Sequence, residues 1–213
     1  MSKIKLIALL VMAGLVSACA DARVASRNAQ IDATSPAVFA PAVPSVSVER
    51  ISVRVPKSLS VSEANRYYPN SDIVWRGEPL GDRHQQVAQL LHDGLTKGAN
   101  DLQGATAVNL DVELLRFHAI TEKARYSTGG VHNIMFSLEV TNAETGLPMG
   151  ERRVVSADLR ALGGLEAIAA EGRGETQRVR IERHLAKVIQ DELTLPDGHQ
   201  NAQLGLLQQI NRL

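Results

Sequence analysis

Cys19 is the only cysteine of the 213-residue chain, and its position indicates a specific chemistry for its thiol. It comes directly after an apolar run, Ile4 to Val16, which begins beside Lys3 and Lys5. A positive start followed by roughly 7 to 15 apolar residues is typical of an export signal, and it is shorter than the about 20 residues that span a bilayer. The sequence therefore predicts an exported chain with a thiol at its processing site. An ordinary signal peptide with a chance cysteine near its cleavage site is the alternative.

The four residues Val16-Ser17-Ala18-Cys19 resemble the lipobox of bacterial lipoproteins. This resemblance implies cleavage before Cys19 and acylation of its thiol. Two or three acyl chains hold a protein firmly, because each buried CH₂ contributes about 0.8 kcal/mol. In that family an aspartate directly after the cysteine often retains the protein in the inner membrane. Here Ala20 follows and Asp21 comes one later, so the resemblance implies a palmitate-type anchor on the periplasmic face of the outer membrane.

The six histidines are the next candidates for chemistry, because imidazole is the commonest metal ligand in proteins. No two of them are four residues apart, as a zinc-binding helix requires, and no second cysteine is present. His118 and His132 could meet across a hairpin that turns near Arg125 and Tyr126. A plain cross-strand pair is favoured there over a pair of metal ligands. We therefore expect no metal site.

Nucleophiles, paired carboxylates and glycine-rich loops also lack the spacing that catalysis needs. Ser156 is outside any G-x-S-x-G elbow, and Gly172 and Gly174 lack both the spacing and the lysine of a phosphate-binding loop. Asp111 and Glu113 share one face of a predicted strand and could act as an acid and a base. Such residues more often solvate the open side of a sheet. The sequence therefore predicts no catalytic residue and no cofactor.

The densest group of recognition residues lies in the stretch RYYPNSDIVWRGEP, residues 66–79. Arginine and aromatic side chains in loops commonly supply large, rigid contacts to partners. In a chain with one tryptophan, three tyrosines and three phenylalanines, packing of these aromatics against the core is the favoured alternative. The candidate interaction residues are Arg66, Tyr67, Tyr68, Trp75 and Arg76.

Charge and composition exclude one class of partner and bear on stability. The 23 basic and 23 acidic residues balance, and loss of Lys3 and Lys5 with the leader leaves a net charge of −2. That balance provides no basic footprint for nucleic acid. With a single cysteine the mature chain has no internal disulfide, so a packed core must stabilise it.

The chain divides into four predicted segments. Residues 1–18 are a signal peptide, and residues 19–45, rich in Ala, Ser and Pro, form a tether that could extend by about 3 Å per residue. Residues 46–195 form a periplasmic domain, and residues 196–213 form an amphipathic tail. In the tail, Leu206, Leu207, Ile210 and Leu213 recur at helical spacing. This apolar stripe is expected to pack on the chain's own domain, with a partner groove or a second copy as the alternative.

Residue periodicity predicts the elements of the domain. Alternating apolar residues indicate strands at 46–55, 72–76, 107–118, 131–141 and 151–159, with a bulge or twist where the apolar phase shifts at Leu115. Helical spacing indicates long helices at 82–102 and 176–193 and a short one at 165–170. The predicted fold class is α+β: a two-layer sandwich of a mainly antiparallel four- to five-stranded sheet with two helices on one face.

The lipobox, the Pro-rich tether, the order of elements and the stretch DIVWRGEP together resemble the small accessory lipoproteins of the periplasm. These include the auxiliary lipoproteins of envelope ABC transporters and the lipoprotein activators of cell-wall synthases. The best fit is a bacterial outer-membrane lipoprotein family with no assigned activity. The resemblance implies a non-enzymatic accessory or adaptor that meets an envelope protein, and it carries over only Cys19 by position. The alternatives are a carrier of lipid or another small apolar ligand and a periplasmic hydrolase that uses scattered Asp, Glu and His residues. The oligomeric state stays open.

Overall fold

The computed structural model describes residues 45–206 and Gln208. Six strands and four helices lie in these residues: β1 (Val46–Arg54), β2 (Ile73–Val74), α1 (Arg83–Ala99), β3 (Thr106–His118), α2 (Glu122–Arg125), β4 (Gly130–Asn142), β5 (Arg153–Ser156), β6 (Leu159–Ala161), α3 (Gly164–Gly172) and α4 (Gln177–Thr194). The predicted leader, Cys19 and the predicted tether up to residue 44 lie outside the described residues, as do Leu207, Ile210 and Leu213. None of the helices in the described part is long and apolar enough to cross a membrane.

The strands form one sheet in which β3 and β4 pair antiparallel at the centre. β1 and then β2 lie along the outer side of β3, both parallel to it. β5 and β6 lie along the outer side of β4, both antiparallel. The α+β class is as predicted, and three of the five strand pairs are antiparallel, but the sheet has six strands instead of four to five and is mixed. The reason is α1, which returns the chain to the end where β1 starts, so that β3 runs parallel to β1.

Two β-bulges keep apolar residues on the core face of their strands. In β1 the register with β3 slips at Glu49, so that Val48 and Ile51 both pack against the core. In β3 the register slips at Leu115, which confirms the bulge expected from the shift in apolar phase. Leu115 itself is partly exposed, whereas Phe117 is fully buried.

The two long helices, α1 and α4, begin at side-chain caps and cover one face of the sheet. Asp82 accepts a hydrogen bond from the Gln85 backbone N–H, and Thr176 accepts one from the Val179 backbone N–H. Fully buried side chains from both helices and from the sheet make the core between these layers, among them Ile73, Val87, Leu91, Leu110, Phe136, Leu185 and Val188.

Glycines allow α1 and α4 to approach closely. Gly94 and Gly98 lie one turn apart on α1 and face α4. A Cβ atom on Gly94 would lie 3.1 Å from the Glu182 carbonyl oxygen, and one on Gly98 would overlap the backbone of Ala186. The later glycine on α1 contacts the later residue on α4, so α1 and α4 run in the same direction.

The C-terminal tail meets the domain at Asp158, between β5 and β6. The predicted strand 151–159 is broken there into two short strands. Asp158 is fully buried, and its carboxylate accepts hydrogen bonds from Asn133 Nδ2 at 2.6 Å, Asn201 Nδ2 at 3.0 Å and Gln208 Nε2 at 2.5 Å. A buried carboxylate requires such donors, and two of the three come from the tail. This contact is polar; of the apolar stripe that was predicted to pack on the domain, Leu206 is 76% exposed, and Leu207, Ile210 and Leu213 lie outside the described residues.

The two ends of the sheet carry different parts of the chain. Ser45 and the turn at Leu147 lie at the end where β3 begins. The 13 residues of β3, at about 3.3 Å per residue, place its other end roughly 40 Å away. We call that other end the distal end. It is formed by loop 63–69, α2, residues 126–129 and α3.

Candidate functional site

The three tyrosines of the chain, Tyr67, Tyr68 and Tyr126, are all exposed at the distal end. Their exposed fractions are 43%, 54% and 51%. Tyrosine supplies a large contact area at little cost in conformational entropy, and it is enriched among the residues that dominate protein contacts. We call these tyrosines, together with Arg66 and Lys123, the tyrosine surface.

Contacts across α2 make the tyrosine surface continuous. The Lys123 ammonium lies 4.9 Å from the centroid of the Tyr67 ring, and the Ser127 hydroxyl lies 3.5 Å from the Tyr67 hydroxyl. Tyr126 directly precedes Ser127, and its hydroxyl donates to Glu171 at 3.4 Å. Loop 63–69, α2 and α3 are therefore joined into one surface.

Exposed aliphatic side chains extend this surface along α3. Leu165 is 84% exposed and Ile168 is 51% exposed, and they lie one turn apart. The start of α3 is held against residues 127–129, because Gly163 and Gly164 pack on the backbone there. The distal end thus combines exposed aromatic and aliphatic groups, which is typical of a contact site.

Hydrogen bonds from α2 and its cap hold loop 63–69 in place. The Thr121 hydroxyl donates to the Arg66 carbonyl oxygen at 2.8 Å, and the Lys123 backbone N–H donates to Asn65 Oδ1 at 2.8 Å. These bonds fix the loop before any partner arrives. A surface ordered in advance loses less conformational entropy when it binds.

His118 supports the end of the same loop as a neutral ring. Its Nε2 lies 2.8 Å from the Pro69 carbonyl oxygen, and a carbonyl oxygen only accepts, so Nε2 carries the proton. Burial, together with the neighbouring Arg116 charge, lowers the pKa of His118. The ring is therefore neutral near pH 7 and acts as a donor to the loop.

A network of arginines and carboxylates lies beside the tyrosine surface. Arg76 binds Glu63 and Glu122, and Arg83 Nε lies 2.6 Å from Glu63 Oε1. The hydrogen bond from Arg83 lowers the pKa of Glu63, although burial opposes it. Burial acts to raise the pKa of Glu122, but the hydrogen bond from Arg76, a backbone hydrogen bond and the charges of Arg76 and Arg125 together lower it. Both carboxylates are therefore charged near pH 7.

The structure separates the sequence-predicted interaction residues. Arg66, Tyr67 and Tyr68 are exposed on the tyrosine surface, and Arg76 lies beside it in the ion-pair network. Lys123 and Tyr126 belong to the surface but were not predicted. They lie far along the chain from the stretch 66–79, and α2, with only four residues, leaves no periodic pattern that could have indicated it.

Trp75 is not a contact residue, contrary to the sequence-based candidate list. Its side chain is fully buried, and its ring packs edge-on against Phe117 with the centroids 5.7 Å apart. The residues before it, Ile73 and Val74, are fully buried too. β2 and the residue that follows it are therefore part of the core, which is the packing role that the sequence offered as the alternative.

The predicted cross-strand pair of His118 and His132 does not form. The register of β3 and β4 pairs His118 with Asn133, so His132 is one residue out of phase and faces the other side of the sheet. The connection between these strands contains α2, which the sequence did not reveal, so the register could not be counted from a simple turn. In the part of the chain that the structure describes, no group of three or more His, Cys, Asp or Glu side chains could hold a metal ion.

Asp111 and Glu113 line a shallow basin of about 160 Å³ beside β1, β3 and Arg152. Glu113 is ion-paired with Arg54 there. His118 does not line this basin but lies under loop 63–69. The three residues named for the hydrolase alternative are therefore not gathered in one cleft.

An open groove of about 450 Å³ lies at the other end of the sheet, beside Ser45. Leu102 and Leu193 line it together with the polar residues Asp101 and Gln103. This groove lacks the enclosed apolar wall that a carrier of lipid would need.

Comparisons with known proteins place the described domain in a family but not in a function. The model of a family of unknown function, DUF6778, matches residues 46–209. No curated protein matches the chain. A candidate lipoprotein from Caulobacter crescentus CB15 has 15% identity and a TM-score of 0.32, over 50% of this chain and 80% of that one. A DUF330 protein from Xanthomonas campestris has 11% identity and a TM-score of 0.42, over 72% of this chain and 88% of that one.

Proposed function

We propose that this chain, which belongs to DUF6778, a family of unknown function, is a non-enzymatic adaptor of the cell envelope. In this proposal a lipid on Cys19 anchors the chain to the periplasmic face of the outer membrane, and the tyrosine surface binds another envelope protein. The observation that carries the proposal is the exposure of all three tyrosines at one end of the sheet.

The position of the tyrosine surface suits a tethered protein. Ser45 lies at the other end of β3, roughly 40 Å from the distal end. The segment 19–45 between the anchor and the domain could extend by about 3 Å per residue. The tyrosine surface would then be free to reach a partner within the periplasm.

The surface also has the physical character of a protein contact. Its half-exposed aromatic rings lie beside the exposed Leu165 and Ile168, and its main loop is held by hydrogen bonds between side chains and backbone. Burial of such aromatic and aliphatic area contributes about 25 cal/mol per Å². Binding would therefore gain from apolar burial while losing little loop entropy.

A photoreactive amino acid tests this proposal in living cells. p-Benzoylphenylalanine in place of Tyr68 is expected to give one protein adduct of defined mass, because this side chain stands on the tyrosine surface. The matched control is the same amino acid in place of Leu147, which is 65% exposed at the opposite end of the sheet. The proposal fails if position 68 gives no protein adduct or gives the same adducts as position 147.

The anchor needs its own test. Cys19→Ser is expected to move the protein out of the membrane fraction, because without the thiol no acyl chain can attach. The intact mass of the parent protein should correspond to a chain that begins at Cys19 and carries acyl groups. An unmodified Cys19, or a mature chain with a different first residue, contradicts the anchor and leaves the tyrosine surface to be judged separately.

A further inference from the structure

At the distal end every carboxylate has a positively charged partner, but not every positive charge has a carboxylate partner among the described residues. Each carboxylate beside the tyrosine surface is ion-paired with arginine: Glu63 with Arg76 and Arg83, Glu122 with Arg76, and Glu171 with Arg125. These carboxylates are therefore occupied by groups of the protein itself. They leave no counter-charge for further cations on the same surface.

Arg66 and Lys123 are such cations. Both are exposed, and neither forms an ion pair with any carboxylate in residues 45–206. Lys123 lies over the Tyr67 ring, and the Arg66 backbone is held by Thr121. Two positive charges therefore stand beside exposed tyrosine, one next to Tyr67 in the chain and one over its ring.

The energetics of such a surface favour a negatively charged occupant. When a contact excludes water, opposite charges attract more strongly than in solvent. An uncharged or basic occupant would instead leave both cations desolvated without a counter-charge, which is costly. Resting on the proposed function, we infer that the partner is a protein that presents an acidic segment, with carboxylates at Arg66 and Lys123 and apolar side chains against the tyrosines.

An acidic protein segment fits these observations better than an anionic lipid surface. Recognition of anionic lipids typically uses clusters of about 4–8 Lys or Arg residues. Here only Arg66 and Lys123 are unpaired within the described part of the chain, because Arg76, Arg83 and Arg125 already bind Glu63, Glu122 and Glu171. Two positive charges beside aromatic rings form a site of the size that a short peptide segment can fill.

The full-length chain with p-benzoylphenylalanine at position 68 tests the inference. Arg66→Glu combined with Lys123→Glu is expected to lower the yield of the protein adduct at least tenfold, and the corresponding pair of Gln substitutions should cause a smaller loss. The matched control is Arg50→Glu combined with Lys97→Glu, which makes the same change in net charge at exposed residues away from the distal end. Its adduct yield should stay within twofold of the parent.

The outcomes separate this inference from the proposed function. A protein adduct whose yield is unchanged by the charge reversal, or whose crosslinked peptide lacks Asp and Glu, overturns the acidic partner but leaves the adaptor role standing. Equal losses in the charge-reversed pair and in the control pair also overturn it. An adduct to lipid instead of protein, or no adduct in the parent, overturns the adaptor role as well.

Discussion

His132 is a buried histidine that lies near the distal end without reaching the surface. It is 1% exposed, and its Nδ1 accepts a hydrogen bond from the Ile120 backbone N–H at 3.4 Å. Burial, with the charges of Arg180 and Arg125, lowers the pKa of His132 to about 3. The folded chain therefore keeps this ring neutral at pH values where the unfolded chain, with an ordinary pKa of about 6.5, takes up a proton.

The consequence is a loss of stability as the pH falls. Below about pH 6.5 the ring of residue 132 takes up a proton in the unfolded state but not in the folded state. The free energy of unfolding therefore decreases as the pH falls from about 6.5 to about 3, and below pH 3 the folded state is protonated too. Between pH 7.5 and pH 5 this one site should lower the free energy of unfolding by about 2 kcal/mol.

His132→Asn checks this prediction, because its Oδ1 can replace Nδ1 as the acceptor while the titrating ring is removed. The variant is expected to be less stable at pH 7.5 but to lose about 2 kcal/mol less on acidification, measured by denaturant unfolding at each pH. His92→Asn, at an exposed helix position, is the matched control. An unchanged pH dependence in His132→Asn, or an equal change in both variants, contradicts the account.

The sequence indicated which residues are important at some positions, but it did not indicate whether each one is exposed or buried. The sequence singled out Tyr67, Tyr68 and Trp75 together, because all three are aromatic and close in the chain. The structure puts the first two at the surface and the third in the core. Trp75 is buried because it directly follows β2, which pairs with β3 in the sheet. Lys123 and Tyr126 join the same surface only through tertiary contacts, which no local pattern encodes.

The contact between α1 and α4 gives the sharpest prediction among the elements. Gly98→Ala is expected to destabilise the protein by at least about 2 kcal/mol, because the new Cβ would overlap the Ala186 backbone and push the helices apart. The loss should occur although alanine is the better helix former by about 1 kcal/mol. Chemical denaturation measures it, with Gly150→Ala as the control, since a Cβ there meets no atom within 4 Å. Unchanged stability of Gly98→Ala would show that the helices are not packed this closely.

Strands and helices with a regular spacing of apolar residues could be predicted, but the segments that they pack against could not. The long strands and both long helices appear close to where apolar spacing placed them, including the bulge in β3. The parallel direction of β1 and the docking of the tail on Asp158 depend on how distant segments meet, and periodicity within each segment carries no information about that. The polar tail contact was missed for a related reason, since the leucines dominated the pattern and the amides of Asn201 and Gln208 did not.

At the scale of the described domain, the two ends of the sheet are unlike. One end carries Ser45, where the described chain begins, and the other carries the tyrosine surface and the exposed residues of α3. A lipid at Cys19, as proposed, would connect the membrane to the domain through Ser45, at the end opposite the tyrosine surface. An adaptor needs this separation, since its anchor and its partner must be held at the same time.

The most direct test of the central claim is recovery of the crosslink-identified partner with the full-length chain, purified in mild detergent, before and after Tyr67→Ala combined with Tyr68→Ala. Loss of two tyrosines that dominate a contact should lower recovery at least tenfold, since such residues each contribute about 2 kcal/mol or more. The free energy of unfolding should change by no more than about 1 kcal/mol, because both side chains are exposed, and Leu147→Ala should leave recovery unchanged. Recovery within twofold of the parent from a folded double variant would contradict the claim that the tyrosine surface binds the partner.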